Sequence, residues 1–343
     1  MESDDSTIVK FKNKTVSVKR KILFVSKYGE TLDIANAIQS EGHSIKFFIQ
    51  ERGCKEIGYG FCPKVTDWKK HTDWADLIIF DYTGYGAICE ELRNAGKLVV
   101  GGSIYTDSLE LDRNFGHQQL KAHKIKVLPS YEFTNFQEAI VFIEKHPDTY
   151  VIKPSGETQE FKQLLFVGSD DEGLDVIRVL KAYEKSWGNN FGDFQLQKKV
   201  KGVEISIASF FNGKEFLKPI NITFEHKKLF PKELGVSTGE MGTSMFWTKD
   251  SPIFDATLKK FESTLAKSNF IGHIDINCIV NGNGIYPLEF TSRFGYPQIL
   301  IQRAGINEPL GDFFYRLASG QKFDIKVKKG FQVGVFIVVP PFP

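Results

Sequence analysis

The sequence GHIDINCIVNGNGIYPLEFTSR, residues 272–293, decides how this chain folds and where its chemistry lies. Two runs rich in strand-forming residues flank Asn281-Gly-Asn-Gly284, a pattern that predicts two antiparallel strands joined by a tight turn. The first strand carries Asp275 and the second carries Glu289. Because side chains alternate between the two faces of a strand, the length of the turn decides whether the two carboxylates share a face.

The register of this hairpin depends on the turn. A three-residue loop at 281–283 pairs Asp275 with Glu289 and keeps both on one face, and this is the register that we expect. A loop of two or four residues would put them on opposite faces. On one face they could share a magnesium ion, which prefers one or two carboxylates together with nucleotide phosphates, and Arg293 could then contact a transferring phosphoryl group. The alternative is a solvated hairpin with two surface acids.

Upstream of the hairpin, short apolar runs alternate with helical patterns. This alternation predicts an α/β unit with a parallel sheet that ends near Gly102. The expected strands are residues 21–26, 44–49, 77–80 and 97–101, and the expected helices begin at Leu32 and at about Ala87.

The middle of the chain changes character. Runs of strands joined by tight turns and interrupted by one clear helix, Leu174 to Lys185, predict an α+β region. We expect helices at 107–123 and 135–145, strands at 125–128, 150–153, 163–167, 194–200, 203–211 and 215–224, helices near Gln298 and Pro309, and a last strand at 331–339.

Three further segments could bind an anionic ligand. Lys153 ends an apolar strand, Glu204 lies within a strand, and residues 235–242 have three glycines that predict a mobile loop. Each also has an ordinary interpretation: a solvated strand-terminal lysine, an outward-facing acid, and a plain hairpin connection.

Bulk properties exclude several classes of protein. A length of 343 residues suits two or three domains, and a net charge of +2 does not favour nucleic-acid binding. The four cysteines form no CxxC pair, so a structural zinc site is not expected. Residues 1–20 are polar and do not form a signal peptide, and the longest apolar stretch, 333–339, is too short to span a bilayer. We therefore expect a cytoplasmic protein that contacts small molecules, neither nucleic acid nor membrane, with its oligomeric state open.

Three motifs follow one another in the order typical of one family. Leu288-Glu-Phe-Thr-Ser-Arg-Phe-Gly295 is close to the pattern Leu-Glu-Phe-Asn-x-Arg-Phe-Gly, and Thr238-Gly-Glu-Met-Gly242 is close to Thr-Gly-Gly-Met-Gly. Glu225-His226-Lys227 resembles Asp-His-Lys. With these motifs the chain resembles the ATP-grasp superfamily, and more narrowly the phosphoribosylamine–glycine ligases, from Lys21 to Pro343.

The resemblance implies a polar arm at 1–20, an α/β Rossmann-like (pre-ATP-grasp) domain at 21–104, an α+β ATP-grasp domain at 105–318, and at 319–343 the start of a truncated or reduced C-terminal domain. It implies ATP with Mg²⁺ or Mn²⁺, and a reaction that joins a carboxylate to an amine through an acyl phosphate. Carried over by position, it assigns Arg113 and Lys153 to phosphates, the backbone of Gln197 and Lys198 to adenine, Glu204 to ribose, Asp275, Glu289 and Thr291 to the metal, Arg293 to the transferred phosphoryl group, and His226, Lys227, Gly239, Met241 and Gly242 to a substrate loop.

Several positions depart from the family pattern. Lys27-Tyr-Gly-Glu-Thr31 replaces a Gly-Gly-Arg-Glu-His run that helps hold the phosphoribosyl substrate, and residues 157–162 lack the glycines of a phosphate flap. Thr291 stands where the family has a metal-binding Asn. Three hypotheses follow: a phosphoribosylamine–glycine ligase, a ligase of the same type with another carboxylate and amine, and a catalytically weakened ATP-binding protein. A dinucleotide-dependent oxidoreductase is excluded, because no GxGxxG follows the first strand.

Overall fold

Three β-sheets organise the chain in this computed structural model, which describes residues 18–155, 164–188, 192–232, 234–339 and 342. Nearly all of the predicted polar arm and the predicted flap at 157–162 lie outside the described residues. Among the residues described, none of the helices combines the length and the apolar character that a membrane crossing needs.

The first sheet is parallel, with strand order β2-β1-β3-β4. Its elements are β1 (Lys21–Ser26), α1 (Leu32–Ser40), β2 (Ser44–Ile49), β3 (Leu77–Phe80), α2 (Gly86–Asn94) and β4 (Val99–Val100). The fully buried β1 and β3 are neighbours at the centre, and the chain leaves them toward opposite edges. The predicted α/β unit is therefore present, and its topological switch point lies between the carboxyl ends of β1 and β3, where ligands of such sheets bind.

A six-stranded antiparallel sheet, in the order β13-β12-β9-β10-β11-β14, contains the hairpin predicted at residues 272–293. Its strands are β9 (Val203–Phe211), β10 (Ile220–Phe230), β11 (Leu234–Thr248), β12 (Gly272–Asn281), β13 (Gly284–Thr291) and β14 (Phe331–Val335). One face packs on an apolar core that includes Ile276 and Phe290. Residues after 318, predicted to begin a further domain, thus contribute β14 to the edge of this sheet.

A smaller antiparallel sheet faces the first two, with strand order β5-β8-β6-β7. It consists of β5 (Ser130–Phe133), β6 (Tyr150–Pro154), β7 (Phe166–Val167) and β8 (Phe194–Lys198), and its core is shared with α5 (Phe136–Lys145) and α6 (Leu174–Trp187). The remaining helices are α3 (Ile104–Leu111), α4 (Arg113–Ala122), α7 (Pro252–Ala256), α8 (Glu262–Lys267), α9 (Gln298–Gly305) and α10 (Leu310–Ala318).

The single helix predicted at 107–123 is wrong, because α3 and α4 are separated at Asp112. Asp112 has extended backbone angles, and its side chain accepts a hydrogen bond from the Phe115 N–H at 2.9 Å. A short acidic side chain that satisfies a free N–H in this way begins a new helix.

The strand predicted at 125–128 is also wrong. Ile125 and Leu128 are buried, but this segment pairs with no described strand, and pairing begins only at Ser130. Alternating apolar residues report burial, not backbone pairing. The predicted strand 215–224 starts later, at Ile220, because Pro219 has no N–H to donate to a neighbouring strand.

The mobile glycine-rich loop predicted at 235–242 is wrong, because these residues belong to the 15-residue strand β11. Lys228 pairs with Ser237 and His226 pairs with Gly242, so four residues of β11 lie opposite the single residue Lys227. The glycines therefore serve a wide bulge within a strand that is bordered by β10 and β14.

The hairpin register differs from the prediction although the shared face is correct. Asn281 pairs with Gly284 across a two-residue turn, which alone would put Asp275 and Glu289 on opposite faces. The register then shifts at Leu288, so that Asn277 pairs with Glu289 and Asp275 pairs with Thr291. This shift brings the two carboxylates back to the same face of the sheet. Both side chains point away from the apolar core.

Candidate active site

A cavity of about 1050 Å³ lies where the three sheets meet. Its walls come from the carboxyl ends of β1 and β3, from one face of α3 and α4, from β6 and β8, and from β13. The polar lining residues are Lys27, Tyr28, Tyr82, Thr83, Glu110, Arg113, His117, Lys153, Gln195, Gln197, Glu289, Thr291 and Arg293. Of the predicted site residues, Arg113, Lys153, Gln197, Glu289, Thr291 and Arg293 are thus brought to one cavity.

The second face of the six-stranded sheet is polar across four strands and divides into two halves. Helix α9 covers one half: Gln298 donates to the Thr223 hydroxyl at 3.0 Å, and Gln302 donates to the Asn221 side-chain oxygen at 3.3 Å. The other half carries acids and lysines beside the cavity. The covered half is therefore occupied by the side chains of α9, and the second half faces the cavity.

Two cations and one acid connect the small sheet to β13. Arg113, the first residue of α4, donates from Nε to the Pro154 carbonyl at 3.2 Å, and its Nη1 lies 3.5 Å from Glu289 Oε2. Lys153 is buried in β6 beside them. Burial, with the nearby Arg113 and Lys227 cations, lowers the pKa of Lys153 to about 8, despite the opposing carboxylates of Glu289 and Glu204.

A second charged cluster lies on β9 and β10. Lys227 forms ion pairs with Glu204, through Oε1, and with Glu225, whose Oε2 lies at 3.5 Å. Although burial alone would lower it, these carboxylates and that of Glu289 raise the pKa of Lys227. Burial also raises the pKa of Glu225, and burial together with Glu225 raises the pKa of Glu240 to about 8. Acids therefore crowd around one lysine beside the cavity.

Arg293 is held by contacts from three segments. Its Nε lies 3.2 Å from Glu110 Oε1, its Nη1 donates to the Phe294 carbonyl at 3.1 Å, and its guanidinium lies 5.1 Å from the centre of the Tyr82 ring. Glu110 also accepts from the Ser292 N–H at 2.7 Å. The guanidinium is thus fixed in position before any ligand binds.

The switch-point end of the cavity is built around Asp81. This buried carboxylate accepts from the Thr31 hydroxyl at 2.6 Å and from the Lys27 N–H at 3.3 Å, and so it shapes the loop after β1. The rings of Tyr28 and Tyr82 meet edge to face at 5.3 Å, and Lys27 Nζ lies 4.4 Å from the centre of the Tyr82 ring. An aromatic and cationic wall thus stands where the family pattern has its Gly-Gly-Arg-Glu-His run.

The residues predicted to contact adenine have different environments. Gln197 is buried and lines the cavity. Lys198 points elsewhere: its Nζ lies 2.6 Å from Asp148 Oδ2, and its N–H donates to the Pro129 carbonyl at 2.9 Å. The side chain of Lys198 and its N–H are therefore engaged within the small sheet.

The predicted substrate-loop residues lie on β10 and β11 and not in a loop. His226 Nε2 is 3.0 Å from the Phe230 carbonyl, and the Met241 carbonyl accepts from the Phe336 N–H at 2.9 Å. Gly242 pairs with β14, and Gly239 is exposed in the bulge opposite Lys227. Within this set, Lys227 forms an ion pair with Glu204, a predicted site residue on β9.

The predicted metal ligands fit a cation in their chemistry. Among the described residues, no three His, Cys, Asp or Glu side chains are close enough together to hold a metal ion. Asp275 nevertheless lies buried on the same face as Glu289 and Thr291, and burial together with the Glu225 and Glu110 carboxylates raises its pKa well above the usual value. Buried carboxylates that repel one another are the group that a divalent cation stabilises.

Sequence reasoning missed Glu110, Asp81 and the aromatic wall. Within the helix predicted at 107–123, Glu110, Arg113 and His117 recur at intervals of three and four residues, which would have placed three polar groups on one face. Asp81 and Tyr82 had no such local signal, because tertiary packing alone brings their segment to the cavity.

Comparison with known proteins gives the same fold and family. The model of the family "Phosphoribosylglycinamide synthetase, ATP-grasp (A) domain" matches residues 111–299. The chain is 24% identical to the phosphoribosylamine–glycine ligase of Listeria monocytogenes serotype 4b (strain F2365) over 268 residues, which cover 75% of this chain and 62% of that protein. The match thus spans less than two thirds of that relative's length.

Solved structures agree at the level of the fold. The phosphoribosylamine–glycine ligase of Thermotoga maritima superposes with a TM-score of 0.71 at 18% identity, over 94% of this chain and 81% of that one. The N5-carboxyaminoimidazole synthetase of Staphylococcus aureus complexed with ADP superposes with a TM-score of 0.61 at 13% identity, over 92% and 81%. These similarities confirm the predicted fold class, an α/β domain followed by an ATP-grasp fold. Because the family model covers more than half of the chain, this protein belongs to the phosphoribosylglycinamide synthetase ATP-grasp family.

Proposed function

We propose that this protein is an ATP-dependent, ADP-forming carboxylate–amine ligase that acts through an acyl phosphate, with phosphoribosylamine and glycine as the first substrate pair to test. The observation that carries the proposal is the convergence of Arg113, Lys153, Glu289 and Arg293 on one cavity. Because these residues come from α4, from β6 and from the end of β13, packing alone does not account for four charged groups that meet at one opening.

ATP would bind between the small sheet and the six-stranded sheet. Arg113 and Lys153 face the place where phosphates would lie, and Glu204 would accept a hydrogen bond from ribose once its ion pair with Lys227 opens. Gln197 and Lys198 end the strand where we assign the adenine edge. A triphosphate with several negative charges is the ligand that best offsets two cations held together by folding.

The reaction has two balanced steps. A substrate carboxylate oxygen attacks the γ-phosphorus of ATP, so a new O–P bond forms while the bond to the ADP oxygen breaks. The amine nitrogen then attacks the acyl carbon, a C–N bond forms, phosphate leaves, and the amine loses a proton to solvent. The protein's contribution is position and charge: Arg113 and Lys153 hold the phosphates, and Arg293 faces the transferring group.

Asp275, Glu289 and Thr291 would hold Mg²⁺ or Mn²⁺, which when bound would neutralise phosphate charge. Glu289 also forms an ion pair with Arg113, so the same carboxylate orients the guanidinium that we assign to phosphate binding. We also propose that the protein works in the cytoplasm and that small molecules are its only substrates.

The lowered pKa of Lys153 predicts how ATP binding depends on pH. In the free protein Lys153 loses its proton as the pH rises through about 8, so the cationic contact is present below that pH and lost above it. We expect the affinity for ATP, measured by calorimetry between pH 7 and 9.5, to fall above pH 8 in the wild type. In Lys153→Arg, which stays charged, the decline should be largely absent. Identical pH profiles for the two proteins would contradict a phosphate contact by Lys153.

A second candidate keeps the chemistry and changes the substrates. Lys27, Tyr28 and Tyr82 line the end of the cavity where the family pattern holds a phosphoribosyl group. Two rings that meet edge to face, with a lysine against one of them, present an aromatic surface and a positive charge. This wall favours a ligase whose amine or carboxylate substrate differs from phosphoribosylamine.

ADP release against a panel of carboxylates and amines separates the hypotheses. Stimulation by phosphoribosylamine with glycine alone would support the first pair, and stimulation by another pair would support the second candidate. Tight ATP binding without turnover under any pair would contradict a ligase and leave the weakened ATP-binding protein. Glu215→Gln, which removes an exposed partner of Lys322 far from the cavity, is the matched control and should leave every rate unchanged.

A further inference from the structure

Four oxygen-bearing side chains form the corners of a square on the polar face of the hairpin. Asp275 lies opposite Thr291, and Asn277 lies opposite Glu289. The two acids therefore occupy diagonal corners, roughly 7–8 Å apart at the backbone, and the other two corners carry Asn277 and Thr291. A cation shared by the two acids would lie above the middle of this square, within reach of all four side chains.

The two uncharged corners differ in what they can offer. Thr291, directly opposite Asp275, offers only a hydroxyl, a poorer oxygen donor than an amide carbonyl. Asn277 is buried, and none of the described residues forms a hydrogen bond with its Oδ1. Ser206, its cross-strand neighbour on β9, has a buried hydroxyl that is likewise unpaired within the described part of the chain. A buried acceptor left unsatisfied destabilises a fold, so a polar species is expected to occupy this position.

Charge decides which species that is. A water molecule would satisfy Asn277 but would not neutralise the buried carboxylate of Asp275, which lies on the same face two residues earlier. A divalent cation satisfies both, since carboxylate and amide oxygens are the ligands that Mg²⁺ and Mn²⁺ prefer. Mg²⁺ usually keeps several waters, and one of them can serve Ser206.

We infer that Asn277 Oδ1 is a further ligand of the divalent cation and supplies the amide oxygen that is lost where Thr291 replaces an Asn. This assignment rests on the proposed function. It explains how the site could still bind a cation although Thr291 replaces the Asn of the family pattern. The amide ligand is supplied from the adjacent strand β12, on the same face of the sheet. The coordinating set then becomes two carboxylates, one amide and nucleotide phosphates.

The test is a titration of Mn²⁺ into the full-length protein with an unhydrolysable ATP analogue, in which electron paramagnetic resonance measures free Mn²⁺. Asn277→Leu should weaken Mn²⁺ binding by about tenfold or more. Asn277→Asp keeps an oxygen and adds a charge, so its affinity should equal or exceed that of the wild type. Thr243→Val, which removes a buried hydroxyl on β11, three strands away from β12, is the matched control and should bind as the wild type does.

Thermal unfolding without metal gives a second readout. Asn277→Leu replaces an unsatisfied buried group with an apolar one, so its melting temperature should stay the same or rise while its Mn²⁺ affinity falls. A residue with only a structural role would lower both. If Asn277→Leu does not fold, the aspartate variant decides: tighter binding supports the ligand role and weaker binding overturns it.

The remaining outcomes separate the two proposals. Wild-type Mn²⁺ binding that Asn277→Leu leaves unchanged overturns the Asn277 assignment alone. A wild type that shows no nucleotide-dependent Mn²⁺ binding overturns the proposed function, and the assignment fails with it.

Discussion

Arg293→Met is expected to lower kcat by about a thousandfold while it changes the dissociation constant of ATP by less than tenfold. The reason is that Arg293 faces the transferring group from a position fixed by Glu110, the Phe294 carbonyl and the Tyr82 ring. A guanidinium held in advance pays no reorganisation when charge develops, and arginines in this role contribute roughly 10³–10⁵ in kcat. Single-turnover ADP formation, with ATP binding measured separately by calorimetry, checks both numbers.

The same substitution has a structural side effect that the experiment must separate. Glu110 is buried, and without Arg293 its carboxylate loses its ionic partner, which costs roughly 3–5 kcal/mol. The double variant Glu110→Gln with Arg293→Met removes the unpaired charge, so it should regain stability and remain inactive. Arg303→Met, which breaks an ion pair with Asp33 outside the cavity, is the matched control. A folded Arg293→Met protein with more than a tenth of the wild-type kcat would contradict the role of Arg293.

The hairpin at 272–293 illustrates what a sequence can predict and what it cannot. The strands and their polar face follow from alternation, because Ile274, Ile276 and Phe290 must share the apolar core. The turn length and the shift at Leu288 do not follow, since a one-residue irregularity depends on packing against β9 and on the twist of the sheet. The turn is one residue shorter than expected, and the irregularity at Leu288 adds one residue back. The predicted face is therefore correct, although the predicted pairing is not.

The first sheet was predictable for a related reason. The bounds of β1, β2 and β3 agree with the expected strands because each is a short run of strand-forming residues with clear ends, and β1 after Lys21 and β3 are buried throughout. By contrast, β11 was mistaken for a loop, since its glycines weaken every local strand signal. Its neighbours β10 and β14 stabilise it, and neither is close in sequence to the bulge.

The residues of the candidate site also fall into those that the sequence identifies and those that it does not. Lys153 and Glu289 could be identified because each stands in a short motif with family precedent. Asn277 could not, because its importance depends on an unsatisfied oxygen and on a register that places it opposite Glu289. Burial and pairing are properties of the folded chain, and local patterns carry only part of that information.

Glu289→Gln is expected to lower kcat by roughly 10²–10³ and to weaken Mg²⁺ binding, so that raising the Mg²⁺ concentration restores only part of the rate. Two effects add at this position. The amide removes an anionic ligand from a diagonal corner of the square, and it also removes the carboxylate that lies 3.5 Å from Arg113. Initial rates of ADP release measured across a Mg²⁺ series give both the apparent metal affinity and the limiting rate.

Glu204→Gln is the informative comparison, because the same substitution is made on the same sheet face at a residue with a different proposed role. A ribose contact predicts a KM for ATP that rises by about tenfold with little change in kcat, since such a contact is equally strong in ground and transition states. A raised KM in the Glu289 variant together with a lowered kcat in the Glu204 variant would show that the two roles are reversed. Equal and small effects at both positions would contradict the assignment of Glu289 as a metal ligand. A carboxylate that holds the metal ion and also orders Arg113 supports phosphoryl transfer through both, so its neutralisation must slow that step.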